Sequence, residues 1–471
     1  MATLSQSLYD HLPLSLQDLV VSVAGLRILR QRYGAPFQHS LATLQRSDFG
    51  SEDEVRRDQD ERLRATIDWA VRTVPYYREL FRSEGIDAAS IRGVEDLHRI
   101  PTLSKSTVRE RPDSLHSEGV PRRRMIAAHT SGTTGTALQL MLTRESMGWE
   151  YAVILRQRGW FGLSLRDRFA TFGGQTVVPL NQKRPPYWRH DRAGARTMFS
   201  LYHMSAETAY HYARELHKPV YQFWQGYPSS MGLICQHLDE VGVELGDAAP
   251  VAVFSSSETL LDFHRNLISQ VTGAPIADRY GDAEFCVSAL QCPEGRYHVD
   301  TEFCVIEIDA HEETEDFVRG EVIATGFANR AMPFIRYRTG DVATLLKKER
   351  CPCGRSRPIL EKIDGRIEDY VVTPDGRRVG RLDHVFKDAH EVREAQIVQV
   401  SPDALTVRII PGAAYDADAE ARIDAEFRSR LGEEIEISYE LHDALPREPN
   451  GKFRAVLSEL PEGSLELGGQ S

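Results

Sequence analysis

The spacing of apolar residues divides the chain into regions with different predicted structure. Between residues 53 and 74, Leu63, Ile67, Ala70 and Val71 recur at intervals of three and four, which predicts a helix, and Pro75 opens another. Residues 1–120 are mostly helical by this criterion. From residue 125 onward, β-rich runs alternate with helical stretches, an order typical of α/β layers. The runs are 220–224, 251–255, 304–308 and 321–325, and the helical stretches include 228–241 and 260–272.

A smaller unit begins beyond about residue 367. The runs "EAQIVQV" and "ALTVRII", a charged helix at 417–431 and the run "EIEISYEL" follow in the order strand, strand, helix, strand. This order predicts a compact α+β domain. Because 471 residues exceed what one hydrophobic core usually holds, we expect a large α/β domain followed by this smaller one.

The segment 12–34 carries an amphipathic pattern that could lie on a membrane surface. Packing against the protein's own core is the more common use of such a pattern, so we expect the helix to bury its apolar side there. Asp10, His11, Gln17 and Asp18 interrupt the apolar residues, which is unlike a secretory signal peptide. The sequence contains no run of 18 apolar residues, so it predicts no transmembrane helix. We therefore expect a cytoplasmic protein.

Charge and cysteine content narrow the possible partners. The chain has 57 basic and 69 acidic residues, and the net charge of −12 argues against nucleic acid as a partner. Six cysteines are too few for a disulfide scaffold at this length, and their uneven clustering favours a reducing compartment with metal binding for some of them.

Four of these side chains have the spacing of a metal site. Three thiolates and one imidazole would complete a closed tetrahedral shell, which is the structural type of zinc site. The alternatives are reduced thiols beside a surface histidine, or a redox role for the Cys-Pro-Cys segment. The predicted ligands are Cys292, His298, Cys351 and Cys353.

A loop rich in glycine and hydroxyl residues, "HTSGTTGT", precedes the first α/β elements. It can turn sharply and offers backbone N–H groups and hydroxyls, which suits a polyphosphate, although a flexible loop is the alternative. The spacing of a Walker loop and its lysine are absent. The predicted phosphate-binding residues are Thr130, Ser131, Gly132, Thr133, Thr134, Gly135 and Thr136.

Further stretches follow this loop in a fixed order: "FSSSETL" at 254–260, "RYGDAEFC" at 279–286, "YRTGDVA" at 337–343, "DGRIEDY" at 364–370 and "LPREPNGKFRAV" at 445–456. With the loop, they resemble the motifs of the adenylate-forming superfamily of acyl-CoA synthetases, peptide-synthetase adenylation domains and luciferases. Within it, the chain is most similar to the phenylacetate-CoA ligase family. Its N-terminal stretch, "VPYYRELF" and "IPTLSKSTVRE" resemble the branch associated with capsular-polysaccharide biosynthesis. Some members of the family resemble this chain in the Cys/His pattern as well.

The resemblance implies a large N-terminal domain, 1–367, and a small mobile lid, 368–471, with ATP between them. It implies acid activation with ATP and Mg²⁺ through an acyl-adenylate, then transfer to CoA or, alternatively, to an amine. A non-catalytic nucleotide-binding scaffold is the alternative of another class, and a homodimer is compatible with the family. The implied catalytic residues are Lys452 and Glu284, which also binds Mg²⁺; the hinge is Glu368; and the nucleotide-binding residues are Ser256, Ser257, Glu258, Tyr280, Gly281, Asp282, Asp341 and Arg366.

Three positions depart from the family pattern. Thr136 stands where many relatives have lysine, Ala283 replaces the threonine before Glu284, and Glu368 replaces the hinge aspartate. These changes put the rate or the substrate in doubt without excluding adenylation. For the acyl pocket, we expect walls from "ATFGGQTVVPL", "PPYWRHD" and Trp160, while Arg189, His190, His203 and His129 are weaker candidates for contact with a ligand.

Overall fold

The computed structural model describes residues 8–129, 138–173, 175–205, 207–366, 371–373, 378–379, 382–386, 389, 391–412, 414–447 and 453–460. Its α-helices are α1 (Leu14–Arg32), α2 (Ala35–Arg46), α3 (Glu52–Thr73), α4 (Pro75–Ser83), α5 (Lys105–Glu110), α6 (Arg144–Trp160), α7 (Ala209–Leu216), α8 (Pro228–Glu240), α9 (Asp262–Thr272) and α10 (Ala417–Leu431). Short 3₁₀ turns connect several of them.

The strands of the large domain are β1 (Ile126–His129), β2 (Gln139–Leu142), β3 (Phe169–Phe172), β4 (Trp188–Asp191), β5 (Arg196–Phe199), β6 (Phe223–Gly226), β7 (Ala252–Ser256), β8 (Ile276–Gly281), β9 (Ser288–Gln291), β10 (Tyr297–Val299), β11 (Cys304–Glu313), β12 (Phe317–Gly326), β13 (Tyr337–Leu346) and β14 (Ile359–Arg366). Those that follow are β15 (Val371–Val372), β16 (Arg378–Val379), β17 (Val392–Ser401), β18 (Ala404–Pro411), β19 (Glu436–Leu441) and β20 (Val456–Ser458).

The N-terminal helices form where the apolar spacing predicts them. Helix α3 begins with a capping box, in which the Ser51 side chain accepts the Glu54 N–H and the Glu54 side chain accepts the Ser51 N–H. Leu63, Ile67 and Ala70 are buried along one face of this helix. Helix α4 begins at Pro75, as predicted. These helices pack on one hydrophobic core with strands of the large sheet.

The centre of the large domain is a twelve-stranded sheet with the order β11-β12-β13-β14-β10-β9-β8-β7-β6-β3-β5-β4. Strands β5, β3, β6, β7 and β8 run parallel, and the sheet turns antiparallel from β8 through β11. Because carboxyl ends of parallel strands share one edge of a sheet, the segments after β6, β7 and β8 meet there.

The C-terminal domain is a four-stranded sheet, β19-β18-β17-β20, covered by α10. The order strand, strand, helix, strand is present as predicted, and α10 spans the predicted residues. The predicted fold class, a large α/β domain with a small α+β domain, is confirmed. The boundary predicted after residue 367 lies outside the described residues and stays a prediction.

The expectation for the N-terminal helix is wrong. Helix α1 packs on the sheet through polar and small residues, with Gln17 and Gly25 buried, whereas Leu19 and Val23 are 56% and 47% exposed. The helix buries polar residues because it packs on the polar edge strand β4, which is distant in sequence. Within the described part of the chain, no helix is long and apolar enough to cross a membrane.

Candidate active site and metal centre

The candidate active site lies at the carboxyl edge of β6, β7 and β8. Strand β7 ends at Ser256, and the next residue, Ser257, is exposed and has a positive φ of 74° that redirects the chain. Strand β8 ends at Gly281 and is followed by an exposed Ala283. In open α/β sheets such a crevice is the usual position for a ligand.

Two carboxyl groups lie close together after β8. The Tyr337 hydroxyl donates to Glu284 Oε1 at 3.3 Å. Asp282 accepts the N–H groups of Cys286 and Val287 at 3.0 and 3.3 Å, so its carboxyl group closes the turn into β9. Burial, and then the neighbouring Glu284 carboxylate, raises the pKa of Asp282. A hard cation such as Mg²⁺ fits this donor chemistry, because it would offset the repulsion between two carboxylates.

Asp341 on β13 faces the same region. The Tyr280 hydroxyl at the end of β8 donates to Asp341 Oδ2 at 2.8 Å, across 61 residues of sequence. The Asp341 N–H is held by Thr339 Oγ1 at 3.0 Å. Gly340, with φ of 77°, makes the turn between them. This carboxylate is oriented by its neighbours and has the acceptor capacity to bind a ribose diol.

Glu258 connects the large domain to the lid. Its Oε2 accepts the Ser229 N–H at 3.2 Å at the start of α8, and its Oε1 accepts the Phe453 N–H at 2.7 Å. Burial raises the pKa of Glu258, while these hydrogen bonds oppose the shift. The side chain is therefore engaged by the backbone of both domains.

Arg447 forms a second link between the domains. It donates to Ser229 Oγ at 3.0 Å and to Glu394 Oε1 of the lid at 2.6 Å, and its guanidinium lies over the Phe453 ring at 5.1 Å. A cleft of ≈ 530 Å³ adjoins this link between α8, α9 and the lid. Buried His264 lines the cleft, and burial lowers its pKa to about 3, so its imidazole is neutral at pH 7.

Several predicted site residues lie outside the described residues. These are the whole phosphate loop, Thr130 to Thr136, the hinge residue Glu368 and the catalytic residue Lys452. Arg366 pairs with Asp341 in the β13–β14 register, and only its backbone is described. Their functional roles stay predictions.

Most candidates for the acyl pocket have structural contacts instead. Arg189 is 1% exposed and binds Gln17, Gln182 and two carbonyls. His190 contacts Thr197, and His203 contacts Ser200 and the carbonyl of Pro179. The second half of "PPYWRHD" was expected in the wall of the acyl pocket, and this expectation is wrong. These residues form β4, the terminal strand of the sheet, which is separated from β8 by four strands.

Trp160, also expected in the acyl wall, packs beside the cysteines. Its ring belongs to the cluster of Cys292, Cys351 and Ile359, and its indole N–H donates to Asp48 at 2.9 Å. The expectation is wrong because α6 ends on the metal-site side of the sheet.

The candidate metal centre is a compact Cys₃His cluster. The ligand atoms of Cys292, His298, Cys351 and Cys353 all lie within 4.8 Å of one another. The Cys292 and Cys351 sulfurs are 3.7 Å apart, and the Cys353 sulfur is 3.2 Å from His298 Nε2. Tetrahedral zinc with Zn–S bonds of about 2.3 Å holds sulfurs about 3.8 Å apart, so the residues fit this ion.

The surroundings favour the protonation states that a zinc site needs. Burial, with help from Arg355 and Arg357, lowers the pKa of His298 to about 4, which leaves the imidazole neutral. Burial opposes ionisation of Cys353, but hydrogen bonds from Arg355 prevail and lower the pKa of its thiol. Neutral imidazole and thiolate are the forms that bind zinc.

A buried ion network adjoins the cluster. Arg156 pairs with Asp300 and, at 3.2 Å, with Glu302, and Arg357 pairs with Glu302 at 2.5 Å. Their side chains are at most 2% exposed. Burial opposes ionisation of Glu302, yet the neighbouring Arg156 and Arg357 hold the pKa of its carboxyl group well below its usual range. The network ties α6 to the loop before β11 and to the segment after the cysteines.

The sequence analysis missed the partners that orient the site. Tyr337 and Arg447 stand inside quoted motifs, but no role was predicted for either. No role was predicted for Asp278 either, which accepts hydrogen bonds from the hydroxyls of Ser255 at 2.6 Å and Tyr297 at 2.7 Å. The available signal is that Asp278 lies in β8 and directly precedes the motif that begins at Arg279.

Comparisons with known proteins agree with this geometry. Residues 371–459 match the family model of the CapK C-terminal domain. Protein CapK from Staphylococcus aureus is 23% identical over 465 residues, covering 96% of this chain and 99% of that protein. Phenylacetate-coenzyme A ligase from Thermus thermophilus is 24% identical over 426 residues, covering 85% of this chain and 87% of the relative.

The structural comparison identifies the fold. A 2-hydroxyisobutyryl-CoA ligase in its postadenylation state superposes with a TM-score of 0.69 and 18% identity, over 88% of this chain and 91% of the other. Against the same ligase in its thioesterification state the TM-score is 0.57, with 19% identity. The resemblance inferred from the motifs is confirmed: the chain is homologous to Protein CapK and to phenylacetate-coenzyme A ligases, and it has the fold of an adenylate-forming CoA ligase.

Proposed function

We propose that this protein is an AMP-forming acid ligase, which activates a carboxylic acid with ATP as an acyl-adenylate, releases pyrophosphate and then transfers the acyl group. The observation that carries the proposal is the 2.7 Å hydrogen bond from the Phe453 N–H to Glu258. It joins the residue next to Lys452 to the segment that follows β7 at the carboxyl edge of the sheet. The homology to phenylacetate-coenzyme A ligases supports the same reaction class.

The chemistry requires positioning and positive charge more than covalent work by the protein. A carboxylate oxygen bonds to the α-phosphorus of ATP, and the bond from that phosphorus to the oxygen bridging to the β-phosphate breaks. Charge on the phosphates is stabilised by cations and N–H donors placed in advance. Lys452 supplies a mobile positive charge, and the loop Thr130–Thr136 supplies donors. Asp341 holds the ribose, and Glu284 would hold Mg²⁺, which neutralises phosphate charge when bound.

We assign CoA as the acyl acceptor. Two observations support it: the homology to phenylacetate-coenzyme A ligases and the fold shared with a 2-hydroxyisobutyryl-CoA ligase. An amine is the alternative acceptor, because the motifs account for adenylation and do not identify the acceptor.

We further infer that Cys292, His298, Cys351 and Cys353 hold a structural zinc ion. All four positions would be occupied by protein ligands, which leaves no open position for substrate. The ion would join the β9–β10 hairpin to the loop between β13 and β14 and would contribute stability rather than chemistry.

The test is product analysis with ATP, Mg²⁺ and a panel of aliphatic, aromatic and hydroxy acids. We expect one acid class to give AMP, pyrophosphate and a detectable acyl-adenylate. Addition of CoA should then convert the adenylate to a thioester; conversion only by amines would replace CoA with the alternative acceptor. ATP binding without acid-dependent pyrophosphate release would contradict the proposal and favour a nucleotide-binding scaffold.

A further inference from the structure

Helix α1 is fixed to the large sheet by its polar side. Asp18 Oδ1 accepts the His190 N–H at 3.0 Å, and Ser22 Oγ donates to the His190 carbonyl at 3.2 Å. The same hydroxyl accepts the Arg192 N–H at 3.1 Å. These contacts satisfy backbone groups of β4, the sheet's terminal strand, which would otherwise be open to pairing. The rotation of the helix about its axis is thereby determined.

The opposite side of α1 presents a continuous apolar stripe to the outside. Its members recur at the three- and four-residue spacing of one helix face, and each is between 42% and 56% exposed. They are Leu16, Leu19, Val20, Val23 and Leu26. A water-soluble helix ordinarily has the reverse arrangement, and contiguous exposed apolar surface of this kind marks a contact with another phase or molecule.

Basic residues continue and flank this apolar stripe. At 100° per residue, Arg27 and Arg30 fall on the same face, about one and two turns beyond Val23, and both are exposed. Lys183, Arg184 and Arg192 are exposed on the segment that packs against the polar side. The single acidic residue within α1 is Asp18, which faces β4. This local charge is opposite to the net charge of −12 of the whole chain.

We propose that the apolar stripe of α1 and its basic border form a docking surface for an anionic lipid bilayer. Apolar side chains would enter the boundary between headgroups and acyl chains, while Arg27 and Arg30 would contact lipid phosphates and carboxylates. A second copy of the chain fits less well. A stable dimer needs about 800 Å² and 20–30 residues from each partner, whereas the stripe is one helix wide and ends in arginines.

The test is co-sedimentation of the full chain with vesicles. One set contains equal parts of phosphatidylcholine and phosphatidylserine, and the other contains phosphatidylcholine alone. We expect sedimentation with the anionic vesicles that weakens as salt is raised. Leu19→Glu/Val23→Glu should lower the partition coefficient at least tenfold. Arg27→Gln/Arg30→Gln should lower it about 25-fold at low salt, since each basic residue near the surface contributes roughly fivefold.

A matched control uses apolar residues of similar exposure elsewhere. Val400 and Leu441 of the lid are 44% and 58% exposed, and Val400→Glu/Leu441→Glu should bind vesicles as the wild type does. Pyrophosphate exchange should be equal in all of these variants, because none touches the candidate active site. Failure of the wild type to sediment, or equal binding by Leu19→Glu/Val23→Glu, would overturn the proposal. So would a wild-type dimer that ignores vesicles and becomes monomeric in Leu19→Glu/Val23→Glu, since a second copy would then cover the stripe.

Discussion

The hydrogen bond between Glu258 and the lid predicts a mutation that separates the two half-reactions. Of the two N–H groups that Glu258 accepts, only that of Phe453 crosses between domains, at 2.7 Å. A hydrogen bond to a charged group contributes about 1.5–3 kcal/mol. We propose that the lid orientation with this bond is the adenylating one, so its loss in Glu258→Ala should reduce the population of that orientation, and the adenylation rate, by about 10- to 100-fold.

Transfer from a chemically prepared acyl-adenylate to the acceptor should not fall in the same variant, because that step does not need this lid orientation. Glu258→Gln retains an acceptor oxygen without the charge, and neutral hydrogen bonds are about half as strong, so we expect a loss of about fivefold in adenylation. The assays are single-turnover pyrophosphate release and single-turnover acyl transfer.

Glu240→Gln is the matched control for this experiment. Glu240 also joins the domains, through Arg393 at 3.1 Å, but both side chains are about one-third exposed. Partly exposed pairs contribute little, so this variant should keep both half-reactions within about twofold. An equal loss of both half-reactions in Glu258→Ala, or a loss of adenylation below twofold, would refute the argument that Glu258 positions the lid.

Three further predictions follow from the other contacts. Glu302→Ala leaves Arg156 and Arg357 buried without their shared partner and should lower the free energy of unfolding by about 3–5 kcal/mol in urea titrations. Elemental analysis should find one zinc per chain in the wild type and none in Cys351→Ser, and this variant should unfold at lower temperature in calorimetry. Asp341→Asn removes a charged acceptor from the ribose and should raise the Kd for ATP about 10- to 100-fold in titration calorimetry.

Each of these has a control elsewhere in the chain. Glu349 pairs with Arg296 on the surface, so Glu349→Ala should change the unfolding free energy by less than about 1 kcal/mol. Cys235 is buried in another core, and Cys235→Ser should keep the zinc. Asp309→Asn on β11 should leave the ATP affinity unchanged. Equal stability losses for Glu302 and Glu349, zinc retained in Cys351→Ser, or unchanged ATP affinity in Asp341→Asn would contradict the corresponding role.

Sequence patterns predict the positions of helices and strands well where residues close in sequence determine them. The helix predicted at 53–74, the restart at Pro75 and the charged helix α10 depend on neighbours within a few residues, so the sequence predicts their positions. Strands β7 and β11 also begin within one residue of the predicted runs. Ligand chemistry, spacing and the family resemblance group the four metal-site side chains, and the fold brings their ligand atoms within 4.8 Å of one another.

The failures concern partners that are distant in sequence. Helix α1 has apolar residues on several sides, so which side is buried depends on β4, more than 150 residues away. Trp160 was placed by position near the acyl pocket, although the end of α6 determines that it packs beside the cysteines. Tyr337 and Arg447 contact the side chains of other residues, and no spacing rule identifies such contacts.

Acid-dependent exchange of pyrophosphate into ATP, measured for the wild type and Lys452→Ala at equal ATP occupancy, tests the central claim most directly. The account predicts exchange with one class of carboxylic acid and a loss of at least 100-fold in the variant, since one transition-state charge contact is typically worth this much. Exchange that does not depend on acid, or that persists in Lys452→Ala, would contradict it.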